Sequence, residues 1–437
     1  MAGKMKDQQA ILSKLGIEQL NQMQEEAHQA IQTNSEIILL SPTGTGKTLA
    51  FLLPIIDALD AKSDQVQVLI LVPSRELAIQ IEQVIREMGS GYKTNAVYGG
   101  RAGSKDKMEL KHAPAILIGT PGRVADHMRR QTIATHEIKT LVLDEFDKSL
   151  EVGFESEMRE IVNALPSLKK KVLTSATQRV EIPKFIGIKN PKKLNFLSDA
   201  KSELILKTIV SPTKDKLETL EKLLGHVGDA SGIIFCNFKD TIETVSDFLH
   251  EKEVGHTCFF GGLEQIDRER ALIKFRNGTH RILLATDLAA RGIDVPEMDF
   301  IVHYQLPVKK DEFTHRNGRT ARMNSNGTAY VLKWKNEALP GFIEGSEVEE
   351  IQSTKSPSRS QWKTLFISGG RKDKISKGDI AGLFFKQGQL QQDELGTIEL
   401  KQDCAFVAVP TSKATQLIQQ LNNSRLKKKK VRISLLD

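Results

Sequence analysis

Residues 36–59 read EIILLSPTGTGKTLAFLLPIIDAL. EIILLS (36–41) is a short apolar run of the kind that forms a buried strand. SPTGTGKT (41–48) follows, and TLAFLLPIIDAL then reads as a helix. Strand, glycine-rich loop and helix in this order make a phosphate-binding loop. Gly44 and Gly46 let backbone N–H groups approach phosphate oxygens with no Cβ in the way, and the helix N-terminus adds partial positive charge. Lys47 can reach the β- and γ-phosphates, and the Thr48 hydroxyl can ligate Mg2+. Thr43 and Thr45 complete the loop. Its first position is Ser41 where Gly or Ala is usual, another small residue.

Further apolar runs flank this unit: VLILVP (68–73), AILIGT (115–120), TLVLDE (140–145) and KVLTSA (171–176). Helical stretches such as RELAIQIEQVIREM separate them, an alternation that predicts right-handed βαβ units and a parallel sheet covered on both faces. LVLDEFDKSL (141–150) ends its apolar run in Asp144, Glu145 and Asp147 around Phe146. Crowded carboxylates repel one another unless a cation sits nearby. A parallel sheet can bring this strand end beside the loop at 41–48, where Asp144 would hold Mg2+ through water and Glu145 would orient or deprotonate an attacking water.

The pattern then starts again. KLETLEKLLGHV is helical by its leucine spacing, and GIIFCN (232–237), HTCFFG (256–261), RILLATD (281–287), FIVHYQLP (300–307) and TAYVLKW (328–334) are strand candidates. The expected fold class is α/β, with two tandem parallel-sheet domains and a small α+β domain. The expected boundaries are residues 1–200, 201–340, a charged, serine-rich linker at 341–361, and 362–437.

The whole chain of 437 residues has a formal charge of +7. Residues 361–437 hold 14 Lys and Arg against 7 Asp and Glu, a surplus equal to that of the whole chain. Concentrating the excess in one small domain suits a grip on phosphates. Cys236, Cys258 and Cys404 lie far apart, without zinc or disulfide spacing, which fits a reducing cytoplasm. The polar N-terminus lacks a signal-peptide core. No run of about 18 apolar residues predicts a membrane span.

VPSRELA (72–78), GG (99–100), TPGR (120–123), DEFD (144–147), SAT (175–177), TDLAARGID (286–294) and HRNGRTAR (315–322) occur in this order. Together they resemble the DEAD-box family of ATP-dependent RNA helicases over nearly the whole chain. The resemblance implies two RecA-like domains with ATP and Mg2+ as cofactors and RNA as partner. It makes Gln24 the reader of adenine, and places Ser175 and Thr177 in the element that couples Asp147 to the second domain. It gives ATP contacts to Gly292 and Asp294, a link toward the acidic strand end to His315, and the offsetting of γ-phosphate charge to Arg319 and Arg322. RNA contacts fall on Arg75, Gly100, Thr120, Gly122 and Arg123, and on Gln265, Arg268 and Thr286.

Three departures stand out. Phe146 replaces the family's Ala, and strand alternation would turn it away from the face carrying Glu145, to fill space. No aromatic residue precedes Gln24 to stack on the base, which implies a high nucleotide KM. Asn317 and Ala321 replace Ile and Gly in HRIGRTGR.

In the last domain, WKTLFISGG, KGDIAGLFFKQ, LGTIELK, CAFVAVP, SKATQLIQQLN and KVRISLL alternate as strand, helix, strand, strand, helix, strand. This is the order of an RRM-like fold. GGRKDKISKGDI and LKKKKVRISLL resemble the C-terminal RNA-binding domain of the bacterial DbpA/YxiN group, in which it anchors the helicase to a hairpin of large-subunit ribosomal RNA. Phe366 and Phe406 are candidates for the sheet face or the core. Arg371, Lys372, Lys374, Arg425, Lys427 and Lys428 are the candidate phosphate contacts. The expected activity is ATP-driven unwinding or remodelling of ribosomal RNA by a monomer. The alternatives are an ATP-gated RNA clamp uncoupled by Phe146, and a DNA translocase.

Overall fold

The computed structural model describes residues 8–42, 44–100, 103–177, 181–197, 204–290, 295, 298–320, 327–343, 345–351 and 359–436. The expectations on Thr43, Gly292, Asp294, Ala321 and Arg322 lie outside the described residues.

The first domain is a parallel sheet of seven strands: β1 (Glu36–Leu40), β2 (Val68–Leu71), β3 (Thr94–Val97), β4 (Ile116–Gly119), β5 (Thr140–Leu143), β6 (Lys170–Ser175) and β7 (Lys192–Asn195), ordered β3-β4-β2-β5-β6-β1-β7. Alternation along the strands divides the core. Ile37, Val68, Ile70, Val142 and Val172 pack on one face. Ile38, Leu40, Leu69, Leu71, Leu141 and Leu173 pack on the other. Burial of both faces is why these strands read as continuous apolar runs.

The second domain repeats the topology with β8 (Leu204–Ser211), β9 (Gly232–Phe235), β10 (His256–Phe259), β11 (Ile282–Ala285), β12 (Phe300–His303), β13 (Gly327–Trp334) and β14 (Glu347–Val348), ordered β10-β11-β9-β12-β13-β8-β14. The position of β8 matches that of β1, and both strands run into the tripeptide Ser-Pro-Thr, at 41–43 and 211–213. Beyond it, Lys214, Asp215 and Lys216 stand where the first domain has Gly44, Thr45 and Gly46. Asp215 Oδ1 accepts the Leu217 N–H at 3.1 Å, and Lys216 Nζ donates to the Leu332 carbonyl at 2.9 Å.

The strands β3 (TNAV) and β7 (KKLN) were not expected, and β8 starts at Leu204, just past the expected boundary between residues 200 and 201. β14 lies inside the stretch read as a linker and pairs with Lys207 and Thr208. Lys207 also forms an ion pair with Glu349 at 2.7 Å. The serine-rich composition hid a charged edge strand.

The last domain has β15 (Trp362–Ile367), β16 (Ile398–Leu400), β17 (Ala405–Pro410), a hairpin of β18 (Arg425–Leu426) and β19 (Lys429–Lys430), and β20 (Ile433–Leu435). The antiparallel sheet, ordered β16-β17-β15-β20, packs one face on the helices Lys377–Lys386 and Thr411–Leu421. This is the expected RRM-like order, with a short hairpin added in the lysine run. Residues 202–290 and 295–437 form one compact unit, so this domain packs on the second.

His303 ends β12 fully buried, against the Phe313 ring with centroids 4.9 Å apart. Its Nε2 donates to Asn317 Oδ1 at 3.0 Å. This bond accounts for Asn317 where the family has Ile. Burial, helped by the Arg316 charge, pushes the His303 pKa down to about 3. The unfolded chain, with a histidine near 6.5, binds the proton first. Stability present above pH 6.5 is therefore lost as pH falls toward 3. We predict a loss of about 1 kcal/mol per pH unit across that window from this residue. Denaturant midpoints against pH test it: His303→Gln should flatten the slope, and an unchanged slope would contradict it.

Candidate nucleotide and RNA sites

The loop after β1 takes its shape from two glycines in the left-handed region, Gly44 (φ 85°) and Gly46 (φ 86°). The helix Lys47–Asp57 starts directly after it. Lys47 Nζ donates to the carbonyls of Ser41 (2.6 Å) and Pro42 (2.7 Å), holding the loop closed on itself. Burial pushes its pKa down to about 8, against the pull of Glu145 and Asp144. Thr45 is buried, and Thr48 is half-buried in the first helical turn. The loop is braced by the helix Gln22–Thr33. Asn21 and Gln24 form a capping box, Asn21 Nδ2 donates to the Thr45 carbonyl (3.1 Å), and Gln24 Nε2 reaches the Gly46 carbonyl (3.4 Å). Gln24 is thus placed beside the phosphate loop.

Sheet order β5-β6-β1 leaves one strand, β6, between the acidic strand end and the loop. Asp144, Glu145 and Asp147 are 3%, 6% and 2% exposed, a buried group of three acids. Burial, and next the Glu145 charge, pushes the Asp144 pKa up to about 6, opposed by a hydrogen bond from Thr174 Oγ1 and by Lys47. Glu145 takes a left-handed conformation (φ 48°), and its N–H donates to Thr174 Oγ1 (3.1 Å). Its carboxylate pairs with Lys148 Nζ at 3.0 Å, and Lys148 is 1% exposed. Asp147 Oδ2 accepts from Thr177 Oγ1 (2.9 Å), while Ser175 Oγ accepts the Thr177 N–H (2.9 Å). The SAT element and the last acid therefore meet. Thr174 and Lys148 were missed. Thr174 precedes the SAT element on the same strand, and Lys148 follows the acids directly.

Phe146 is buried in the core with Leu143, Leu150 and Met158 nearby. It fills space as expected, for a different reason. The strand ends at Leu143, and Phe146 begins the helix Phe146–Glu151, so the turn at Glu145 rather than strand alternation sets its direction.

Among the described residues no group of three or more His, Cys, Asp or Glu could hold a metal ion. Thr48 and Asp144 fit Mg2+ nonetheless, because that ion takes few protein oxygens and completes its shell with phosphates and water. An acid raised by burial and by its neighbour's charge is also short of positive charge.

For RNA, Arg75 opens the helix Arg75–Met88, capped by Ser74. Gly100 (φ 82°) lies against it: a Cβ there would sit 2.9 Å from Arg75 Cζ. Thr120 and Gly122 lie at the start of the helix Pro121–Arg129, with open space at Gly122 out to Phe154. Arg123 is placed differently from an open RNA contact. Its Nε and Nη2 donate to the buried Asp106 (2.9 and 2.7 Å), which also meets His127 Nε2 (3.1 Å).

In the second domain Gln265 and Arg268 lie at the N-terminal end of the helix Gln265–Arg276, with Arg268 over the Phe259 ring at 4.8 Å. Thr286 immediately follows β11. Arg316, unassigned from the sequence, is the node here. Its guanidinium donates to both Asp287 oxygens (2.7 and 2.5 Å), to Asn237 Oδ1 (2.7 Å) and to the Gln305 carbonyl (2.8 Å). It joins the ends of β9, β11 and β12. Breaking a buried pair of this kind costs about 3–5 kcal/mol. His315 and the buried Arg319 flank it on the same segment. In the last domain Lys372, Lys374, Arg425, Lys427 and Lys428 are exposed and Arg371 half-buried.

Residues 21–185 match the DEAD/DEAH box helicase family, residues 215–324 the helicase conserved C-terminal domain, and residues 364–435 the DbpA RNA binding domain. The ATP-dependent RNA helicase DbpA of Escherichia coli (strain K12) is 31% identical over 439 residues, spanning 97% of this chain and 96% of that protein. Its namesake from Bacillus subtilis (strain 168) is 28% identical, with coverage of 97% and 96%. Among solved structures, S. cerevisiae Dbp5 bound to RNA and ADP BeF3 superposes with a TM-score of 0.65 at 27% identity, covering 76% of this chain and 87% of that one. With the phosphate loop, the acidic strand end and the added basic domain in one chain, it belongs to the DEAD/DEAH box helicases, as an ATP-dependent RNA helicase of the DbpA type.

Proposed function

We propose that this helicase remodels structured RNA of the large ribosomal subunit, as a Mg2+-dependent monomer in the cytoplasm. The observation that carries the target is the last domain, which matches the DbpA RNA binding domain and holds the chain's whole charge surplus. In the group it resembles, this domain anchors the enzyme to a ribosomal RNA hairpin. Exposed lysines at the strand ends suit phosphate contacts, which give affinity and position rather than base readout.

In this reading Lys47 leaves the Ser41 and Pro42 carbonyls for the β- and γ-phosphates of ATP. Thr48 and Asp144 would hold Mg2+, which would offset charge on those phosphates. Glu145 accepts the proton of the attacking water, and Lys148 fixes its carboxylate. Thr177 reports through Asp147. Arg319 and Arg322, by likeness to the family, offset the charge on the γ-phosphate as it leaves. The clamp alternative rested on Phe146. That ring packs in the core while all three acids keep defined partners, which favours a working cycle.

Steady-state ATPase rates with no nucleic acid, generic RNA, DNA and large-subunit ribosomal RNA test the target: preferential stimulation by ribosomal RNA is expected, and equal stimulation by every RNA would refute it. Lys47→Ala should abolish ATP binding, while Glu145→Gln should bind ATP normally and slow hydrolysis by about 10²–10⁴-fold. Near-normal turnover in either would overturn the site. Changing Arg371, Lys372, Lys374 and Lys428 to Gln should weaken RNA binding at every sequence. The plot of log affinity against log salt should become shallower by about one unit for each phosphate that is no longer neutralised.

A further inference from the structure

The sheet of the last domain turns Leu365, Ile367, Val407 and Val409 into its own core. Thr364, Phe366, Glu399 and Phe406 occupy the other face, where an RRM-like domain would stack unpaired bases. That face is covered. Thr364 is 1% and Phe406 7% exposed, because the second helicase domain sits on them. Ile273 forms a buried cluster with Phe406 and Leu436, flanked by Phe366 and Cys404. Arg276 Nε and Nη2 make a two-pronged bond to Glu399 at 2.7 and 2.8 Å. The hydroxyls of Thr279 and Thr364 meet at 2.7 Å, and Asn277 Nδ2 donates to Thr364 Oγ1 at 3.3 Å. Ser360 Oγ donates to the Gly278 carbonyl at 2.5 Å.

Every second-domain partner in these contacts comes from the C-terminal end of the helix Gln265–Arg276 or the turn after it. The N-terminal end of the same helix carries Gln265 and Arg268. Its 12 residues span about 18 Å. A helix of three turns buried through Ala271, Leu272, Ile273 and Phe275 is stiff, and its far end is fixed by apolar, hydroxyl and charge contacts together.

We propose that this helix is a spacer that holds the last domain's RNA grip at one set distance from the RNA contacts of the second helicase domain, so that the duplex to be opened is chosen by its distance from the anchored element. The proposal rests on the RNA roles given above to Gln265, Arg268 and the basic strand ends. It assigns the covered sheet face to docking within the chain and leaves RNA to Arg371, Lys372, Lys374 and the β18–β19 hairpin. A flexible tether would give an effective concentration that declines smoothly with span, whereas a rigid mount gives a single optimum.

The test uses the full chain and a large-subunit ribosomal RNA hairpin joined to a short reporter duplex by single-stranded spacers of graded length. Unwinding by the wild type should peak at one spacer length. Glu399→Arg should lower that peak about tenfold and flatten the profile, with affinity for the isolated hairpin unchanged. Combining it with Arg276→Glu should restore the peak. A flat wild-type profile, or the same peak in Glu399→Arg, overturns the proposal. Hydrogen exchange of the β16 and β17 amides, measured without RNA, reads docking independently. Protection should fall in Glu399→Arg and return in the charge swap, and equal protection in all three chains also overturns it. If the hairpin does not bind the wild type, the ribosomal target fails, and exchange alone decides the spacer.

Discussion

Three carboxylates taken out of water at the end of one strand set the terms for the first domain. Isolated charges in such a place cost several kcal/mol each. The solution is distributed over neighbouring strands: Thr174 serves Asp144 and the Glu145 backbone, Thr177 serves Asp147, Lys148 serves Glu145, and Lys47 faces the group from the phosphate loop. The dependence is mutual, since Lys47 and Asp144 are each pushed toward neutrality by burial and held charged by the other. Strand order β5-β6-β1 is therefore an electrostatic requirement as well as a packing result.

The second domain solves the opposite problem, a buried cation. Arg316 is 1% exposed, and its guanidinium donates to one carboxylate, one amide and one carbonyl drawn from three strand ends. Because Asp287 follows Thr286 directly, a residue assigned to RNA is anchored to the same segment that carries His315 and Arg319. In the last domain the balance changes again. Its lysines stay at the surface, and the half-buried pair Arg276–Glu399 serves attachment. Burial pushes Glu399 up, but the Arg276 bond and charge outweigh it and hold the carboxyl below its ordinary range.

Much of this was legible in the sequence, for a physical reason. Central parallel strands are buried on both faces, so β1, β2, β4, β5, β6 and β9 read as unbroken apolar runs. The edge strands β3, β7 and β14 have no such signature: KKLN and TNAV are short with two or more polar residues each, and β14 has two exposed residues. The phosphate loop and its acids were legible because each is compact in sequence and chemically unusual. Partners such as Asn237 for Arg316, or Asp106 for Arg123, were not, because they lie 79 and 17 residues away and nothing local marks them. Phe366 and Phe406 could not be placed from sequence because a docked aromatic and a base-stacking one look alike on a strand.

The repeated Ser-Pro-Thr after β1 and β8 leads into two different turns. The helix behind the second copy donates its first N–H, of Leu217, to Asp215, a carboxylate of its own chain, at the end where a helix can otherwise receive an outside anion. Lys216 is meanwhile tied across the strand ends to Leu332. Glycines at 214 and 216 alone would leave that internal anion in place. At this turn the second copy is held by its own side chains, and the phosphate loop belongs to the first copy alone of the two.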